Sequence, residues 1–261
     1  MADPKAWLFL GDANMAGASP HGLLDDTDHE NYALHQTIDA QSDVHIQSPW
    51  SLQLETYNAY LNAGSIGPQQ VAFGPEASAA RALADNASED IYILKVAGSS
   101  SLSLVTIGVW PWIPQFIGGS VWDSMQARLS SFIRQAEAAA VGTIDWQGVF
   151  WQCGFVDSMY QAGIQQYATA LPGFISMVRS TLGDPTLPFI GAKIPTTGTG
   201  GEQINEQISE MLGPDGSVTN TGRWDVAGLT HGYGILDGDG VVALGTGLAT
   251  CFTSGMTETN E

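Results

Sequence analysis

The chain has 261 residues, of which 44% are hydrophobic and 13% charged, and 27 acidic residues against 8 basic ones give a formal net charge of −19. This composition suits a globular protein and excludes a disordered acidic tail, a collagen-like fibre and a highly charged coiled coil. The negative charge repels phosphate backbones and anionic membranes, which argues against nucleic-acid binding.

Only three lysines are present, and a surface so poor in bases favours high ionic strength, where screening removes the self-repulsion of acidic groups. We therefore expect a high-salt environment, typical of a halophilic or marine source.

Cys153 and Cys251 are too few for a disulfide framework and form no CxxC metal pair. Residues 1–10 lack the pattern of an export signal, and no apolar run approaches about 18 residues, so we expect cytoplasmic synthesis and no membrane insertion.

Short apolar runs alternate along the chain with stretches of helical spacing. The runs predict strands and the periodic stretches predict helices: strands at 6–10, 91–96, 147–152 and 187–194, and helices at 75–86, 120–141, 161–182, 202–212 and 240–252. Since the strands are continuously apolar, we expect a parallel sheet with helices on both faces. The prediction is an α/β fold, as a single three-layer, doubly wound, flavodoxin-like domain over residues 1–261 with about five parallel strands.

Two segments interrupt this rhythm, at 18–70 and 99–119, and both are predicted as loop excursions over the carboxyl edge of the sheet, where α/β proteins bind ligands. Several aromatic residues fall in predicted loops on that side, and aromatic faces stack on sugar rings, which favours a glycan partner. The aromatic residues considered are Trp50, Tyr57, Tyr60, Trp110, Trp112, Trp122, Trp151 and Tyr233. The alternative is that the rings pack the core or an interface.

The histidines and aspartates between His21 and His45 match no defined ligand spacing, so we expect no metal site.

The first predicted strand runs into Gly11-Asp12-Ala13-Asn14-Met15. A strand-to-helix junction of this kind lifts a side chain above the sheet edge and turns backbone N–H groups toward a developing oxyanion. The block resembles the nucleophile block of SGNH-type hydrolases, in the Gly-Gln-Ser-Asn-Met form of carbohydrate esterase family 6 and sialate O-acetylesterase relatives. Alanine has no hydroxyl to attack a carbonyl, so the resemblance makes Ala13 a vestigial nucleophile position.

Further blocks are similar to the same family, in the expected order. They are residues 73–83, which are similar to its Gly-Pro-Glu-x-x-Phe-Ala-x-x-Leu helix, residues 93–102, and residues 167–194. Together they extend the resemblance over almost the whole chain, and it implies the SGNH-hydrolase fold without any cofactor. By the same resemblance, Gly98 offers a backbone N–H to the oxyanion.

The catalytic blocks depart from the family pattern. Residues 151–158 align on the family motif Trp-x-Gln-Gly-Glu-Ser-Asp, which places Cys153 where an oxyanion-binding Gln is expected and Phe155 where a Glu is expected. Gly154 and Asp157 match the motif. Cys153 follows a strand end, and we interpret it as a buried structural thiol rather than as a nucleophile.

Near its C-terminus the family carries Asp-x-x-His before a Gly-x-x-x-Leu-Gly helix. The helix motif is present at residues 240–245, and segment 228–231 reads Gly-Leu-Thr-His, with Gly228 at the Asp position. The resemblance makes His231 the general base, with Asp157 or Asp225 as its supporting carboxylate. The oxyanion and ligand-binding candidates are Gly98, Asn14, Gln152, Trp151 and the N–H of Ala13.

Two explanations of Ala13 stay open. Because nucleophile, oxyanion donor and acid/base support change together, the preferred prediction is a naturally inactive esterase-like protein that serves as a structural or glycan-recognising module. Its composition and degenerate scaffold further suggest a virion component, such as a capsid decoration, turret or tail protein of a phage or archaeal virus. The alternative is a carbohydrate O-acetylesterase whose nucleophilic serine was replaced by Ala13. Expected partners are a glycan or other viral or cell-surface structural proteins, with homo-oligomerisation as a further option.

Overall fold

The computed structural model describes residues 3–16, 19–20, 40–48, 52–58, 72–98, 100–102, 110–113, 121–196, 198–226, 228–229, 231–232 and 235–256. Seven strands form its main sheet. They are β1 (Lys5–Gly11), β2 (Ala40–Gln47), β3 (Glu55–Asn58), β4 (Ile91–Ala97), β5 (Asp145–Gln152), β6 (Phe189–Ala192) and β7 (Thr221–Trp224).

The order of strands across the sheet is β7-β6-β5-β1-β4-β2-β3. All neighbours run parallel except β3, which pairs antiparallel with β2 at the edge. The strand order reverses around β1, which lies between β4 and β5. In register, Gly11 at the end of β1 pairs with Ala97 on one side and Gln152 on the other. The three carboxyl ends therefore meet at the switch point, where such sheets bind ligands.

Helices cover both faces of the sheet. They are α1 (Ala13–Ala16), α2 (Glu76–Asp85), α3 (Val121–Ala140), α4 (Phe155–Ser158), α5 (Gln161–Leu182), α6 (Thr199–Met211) and α7 (Gly238–Thr253). One core cluster joins the sheet to α3, α5 and α6, and a second joins its other face to α1, α2 and α7. Successive residues of β1 enter the two clusters in turn, which explains why the strand sequence is apolar at every position from Ala6 to Leu10. Leu8 and Leu10 enter the first cluster, whereas Trp7 and Phe9 enter the second.

The predicted α/β class, with a parallel sheet between two helix layers, is confirmed, and each predicted strand and helix is present within a few residues. The prediction of a loop over 18–70 is wrong for β2 and β3, which extend the sheet beyond the five strands expected. The sequence of β2, Ala-Gln-Ser-Asp-Val-His-Ile-Gln, is too polar for a buried-strand pattern, because β2 lies near the sheet edge. The four-residue β7 was also missed. That residues 1–261 form one domain stays a prediction.

Three two-residue strand pairs lie outside the main sheet. They join Ser19–Pro20 to Ala72–Phe73, Ser100–Ser101 to Trp110–Pro111, and His231–Gly232 to Ile235–Leu236. The second pair is the part of the predicted 99–119 loop that the structure describes as strand. Across the described residues, no helix is long and apolar enough to cross a membrane.

Candidate active site

The carboxyl ends of β1 and β5 approach each other very closely. A Cβ atom on Gly11 would lie 2.1 Å from the backbone oxygen of Gln152, so a larger residue would push the two strands apart. The Asp12 N–H donates to the same oxygen at 2.9 Å. The chain then turns directly into α1, whose first residue is Ala13. Glycine thus allows the turn that places the predicted nucleophile position at the switch point.

Asp12 ties this turn to the segment after β5. Its carboxyl group is buried, with Oδ1 accepting the N–H of Asn14 at 3.1 Å and Oδ2 accepting the N–H groups of Gly154 and Phe155, both at 3.2 Å. Burial raises the pKa of Asp12 to about 7, and the nearby charge of Asp157 adds to the rise, while the three N–H donors oppose it. Asp12 therefore changes charge near neutral pH at the base of the turn.

Asp157, the predicted supporting carboxylate, is buried in α4, and its Oδ2 accepts the N–H of Leu102 at 2.9 Å. Ser100, in the same segment as Leu102, donates its hydroxyl to the carbonyl oxygen of Gly11 at 3.1 Å. The Ser100 hydroxyl in turn accepts the indole N–H of Trp112 at 3.0 Å. Asp157 and Ser100 thus fasten the segment after β4 to the turn, and a role of Asp157 toward a catalytic base stays a prediction.

The backbone N–H of Gly98, a predicted oxyanion donor, is directed into the sheet. It donates to the carbonyl oxygen of Gly11 at 3.4 Å and so continues the ladder between β1 and β4. An oxyanion donor has to face the position of the developing charge. In this structure the Gly98 N–H is used by the sheet ladder, and its role toward an oxyanion stays a prediction.

Gln152 and Cys153 leave β5 on opposite faces of the sheet. Cys153 is fully buried in the cluster under α3, α5 and α6, with its Sγ 3.9 Å from the carbonyl oxygen of Ser100. Burial raises the pKa of this thiol well above its ordinary value, which fits the predicted structural thiol.

The Gln152 side chain extends on the face that carries α1. Phe150, two residues earlier, belongs to the cluster with α1, α2 and α7, and alternate residues of a strand face the same way. Gln152 is fully buried, and among the described residues neither its Nε2 nor its Oε1 has a hydrogen-bond partner. The sequence indicated Gln152 only as an oxyanion or ligand-binding candidate, and its burial without partners among the described residues appears only in the structure.

The segment that carries His231 is joined to α1. His231 lies opposite Leu236 in the antiparallel pair, and the N–H of Leu236 donates to Oδ1 of Asn14 at 2.8 Å. Asn14 directly follows Ala13. The backbone therefore brings the predicted base and the predicted nucleophile position to the same edge. The side-chain oxygen of Asn14, a predicted ligand-binding residue, accepts this hydrogen bond from Leu236.

The carboxylate positions near His231 differ from the family pattern. Gly228, at the position of the family's Asp, is exposed and has a φ of +83°, a backbone conformation that glycine adopts without strain. Asp225, the other predicted support, has its Oδ2 2.6 Å from Nζ of Lys193. The lysine thus holds this carboxylate in an ion pair.

The three tryptophans whose side chains the structure describes pack in the core, which is the alternative left open for them in the sequence analysis. Trp112 and Trp151 are fully buried and Trp122 nearly so. All three pack against Phe174, with ring centroids 4.6 Å away for Trp151, 5.6 Å for Trp112 and 6.1 Å for Trp122. Trp151 is therefore part of the core, and a ligand-binding role for it stays a prediction. The side chains of the other predicted platform residues lie outside the described part: Trp50, Tyr57, Tyr60, Trp110 and Tyr233.

Most of the histidines considered for a metal also lie outside the described residues, namely His21, His29 and His35. His45 belongs to β2, and its Nε2 is 3.0 Å from Oδ2 of Asp90. Its ring stacks on Tyr92, with centroids 4.9 Å apart. His45 is therefore part of the sheet surface.

A sequence profile decides the family of this scaffold. The family described as carbohydrate esterase, sialic acid-specific acetylesterase matches residues 4–254. The chain belongs to this family. The resemblance drawn from the sequence blocks is therefore confirmed at the level of the family. A comparison with curated proteins finds no significant match.

Solved structures share the fold at low sequence identity. A protein from Arabidopsis thaliana is similar with a TM-score of 0.74 at 18% identity, over 98% of this chain and 100% of that one. A carbohydrate acetylesterase from Xanthomonas citri is similar with a TM-score of 0.63 at 15% identity, over 96% of this chain and 56% of that one. NanS gives 0.58 at 12% identity, over 87% and 79%. These likenesses support the SGNH-type α/β fold.

Proposed function

We propose that this chain is a catalytically inactive member of its family that recognises an acetylated glycan without hydrolysing it. The observation that carries the proposal is Ala13, whose methyl group stands at the first position of α1. The turn around it is well formed, because Gly11 lies against β5 and Asp12 holds the segment after β5. A site that keeps its shape and lacks its nucleophile is suited to binding without turnover.

The neighbouring groups support this proposal. Cys153 does not replace the serine, since its thiol is buried on the far side of the sheet and its pKa is raised. Phe155, at the position of the family's Glu, contributes its backbone N–H to Asp12 but has no carboxylate. Replacement of the serine alone would not account for Cys153 and Phe155 at the family's Gln and Glu positions.

The second candidate function is a carbohydrate O-acetylesterase in which Ala13 replaces the nucleophilic serine. The intact turn favours it, as does the hydrogen bond from Leu236 to Asn14, which joins the His231 segment to α1. Under this alternative His231 is the general base. The two candidates differ in whether one hydroxyl group restores catalysis.

The deciding experiment is to introduce that hydroxyl group. Hydrolysis of 4-nitrophenyl acetate and acetylated xylan is measured for the native chain, for Ala13→Ser and for Ala13→Ser/His231→Ala, at low and at molar salt. Ala16→Ser is the matched control, because it adds the same hydroxyl at the other end of α1. Folding of each variant is verified by circular dichroism.

Inactivity of folded Ala13→Ser, together with binding of an acetylated glycan by the native chain, is the expected result. A gain of about 10³-fold or more in Ala13→Ser, absent from Ala16→Ser and abolished by His231→Ala, would refute decay of the site and establish the esterase. If the native chain binds no acetylated glycan on an array, recognition is refuted as well.

Incorporation into a virus particle is proposed from composition and from the degenerate catalytic blocks. Its test is mass spectrometry of purified virions from the source system. Absence of this chain from the particles would remove the hypothesis without affecting glycan recognition.

A further inference from the structure

A pocket of about 310 Å³ lies at the amino edge of the sheet, between the C-terminal ends of α2 and α7. Lys5 and Trp7 of β1 line it, together with Gln147 near the start of β5. Lys5 and Gly11 begin and end β1, and at about 3.3 Å per residue they lie about 20 Å apart. The pocket is therefore separate from the edge that carries Ala13, and its volume is in the range of small-ligand sites.

The wall of this pocket contains a hydrogen-bond donor that is not satisfied. Trp7 is only 3% exposed, and its indole Nε1 has no hydrogen-bond partner among the described residues. A buried tryptophan usually finds a partner for this N–H group, and leaving the group without one costs free energy. Because Trp7 lines the pocket, a molecule bound there would lie against the indole and supply the missing acceptor.

The surface next to the indole is apolar. Leu83 of α2 and Phe252 of α7 line the pocket beside Trp7. The rings of Phe252 and Trp7 meet edge to face, with their centroids 6.0 Å apart. Aromatic and aliphatic walls of this kind favour a ligand with a flat apolar body.

Polar groups at the pocket indicate a ligand without charge. The side-chain oxygens of Asn86 and Gln147 have no partner among the described residues, whereas their amide nitrogens donate to backbone carbonyl oxygens. Of the described residues that line the pocket, Lys5 alone is charged, and its Nζ is 2.8 Å from Oε1 of Glu89. The pocket thus offers one buried donor, two acceptors and a lysine whose charge is already paired.

We propose that this pocket is a ligand site for a small uncharged molecule that carries a carbonyl oxygen on a flat apolar body. The carbonyl oxygen accepts from the indole N–H of Trp7, and a hydroxyl group on the ligand donates to the amide oxygens of Asn86 and Gln147. The proposed glycan recognition uses none of these residues, so the two proposals stand or fail separately.

The test uses two probes that differ only in the acceptor. 4-Hydroxyacetophenone carries the carbonyl oxygen, and 4-isopropylphenol has a methyl group in its place; both are uncharged at about pH 6. Each probe is titrated into the ¹⁵N-labelled native chain, and the indole cross-peaks of the eight tryptophans are followed by NMR. Trp7→Phe keeps an aromatic ring and removes the N–H group. Trp122→Phe is the matched control, because Trp122 is nearly fully buried in the other core cluster.

We expect 4-hydroxyacetophenone to bind with a Kd of about 1 mM or below and to move the Trp7 indole proton downfield, which 4-isopropylphenol should not do. The preference for the ketone over 4-isopropylphenol should be at least about three-fold greater in the native chain and in Trp122→Phe than in Trp7→Phe.

Two results would overturn the proposal. One is an unchanged Trp7 cross-peak with both probes at about 10 mM, and the other is the same preference between the probes in Trp7→Phe as in the native chain. If Trp7→Phe does not fold, the shift of the Trp7 cross-peak in the native chain, assigned by triple-resonance spectroscopy, decides alone. Equal shifts with both probes would then count against a hydrogen bond from the indole.

Discussion

Replacing Asp12 by asparagine should change how the stability of this protein depends on pH. The carboxyl group is buried beneath the turn, and burial raises its pKa from 3.8 to about 7. Asparagine has nearly the same shape and does not titrate. Comparison of the two proteins therefore isolates the contribution of this one group from all other titrating groups.

The direction follows from the raised pKa. The folded state keeps a proton on Asp12 between about pH 4 and 7, whereas the unfolded chain has lost it, so the stabilisation is complete below about pH 4 and is lost as the pH rises through 7. The interval from 3.8 to about 7, at about 1.4 kcal/mol for each pH unit, corresponds to about 4 kcal/mol. The free energy of unfolding of the native chain, minus that of Asp12→Asn, should fall by this amount between pH 4 and 8.

The assay is urea unfolding of both proteins at half-unit pH steps and constant ionic strength. Asp145→Asn is the control, because Asp145 is exposed at the start of β5. A difference that stays flat, or that rises with pH, would refute the reasoning. Such a result would mean that the N–H groups of Asn14, Gly154 and Phe155 keep the carboxylate ionised against the cost of burial.

Three further predictions concern buried groups. Gly11→Ala should lower the free energy of unfolding by about 2–4 kcal/mol, because its Cβ would overlap the backbone oxygen of Gln152; unchanged urea stability would contradict this. Glu76 and Lys95 form a fully buried ion pair at 2.6 Å, and Lys95 also donates to the carbonyl oxygen of Ala16. Lys95→Met alone should cost about 3–5 kcal/mol and Lys95→Met/Glu76→Leu less, whereas equal losses in both would rule out an uncompensated charge as the cause. Cys153 and Cys251 are both buried, so the folded protein should show no thiol reactive toward Ellman's reagent at pH 8, and two after unfolding; rapid labelling in the folded state would count against their structural role.

The sequence by itself predicted the scaffold, because its elements are dictated by local patterns. Windows of about five to twenty residues are enough to recognise the apolar runs of β1, β4, β5 and β6 and the periodic stretches of the long helices. The order of the family blocks then indicated the SGNH-type fold and placed Ala13 at the nucleophile position. The polar β2 escaped this reasoning, because its place in the sheet depends on pairing with β4 rather than on its own composition.

Only the tertiary structure decided the character of the site. Trp112 was predicted to lie in a ligand-facing loop and Trp151 was a ligand-binding candidate, yet both pack around Phe174, since large aromatic side chains gain most when neighbouring elements bury them. The partners of Asp157 and the raised pKa of Asp12 likewise come from segments distant in the chain. Local sequence patterns determine which strands and helices form. Burial, charge pairing and the lack of described hydrogen-bond partners for Gln152 arise only when those elements pack together.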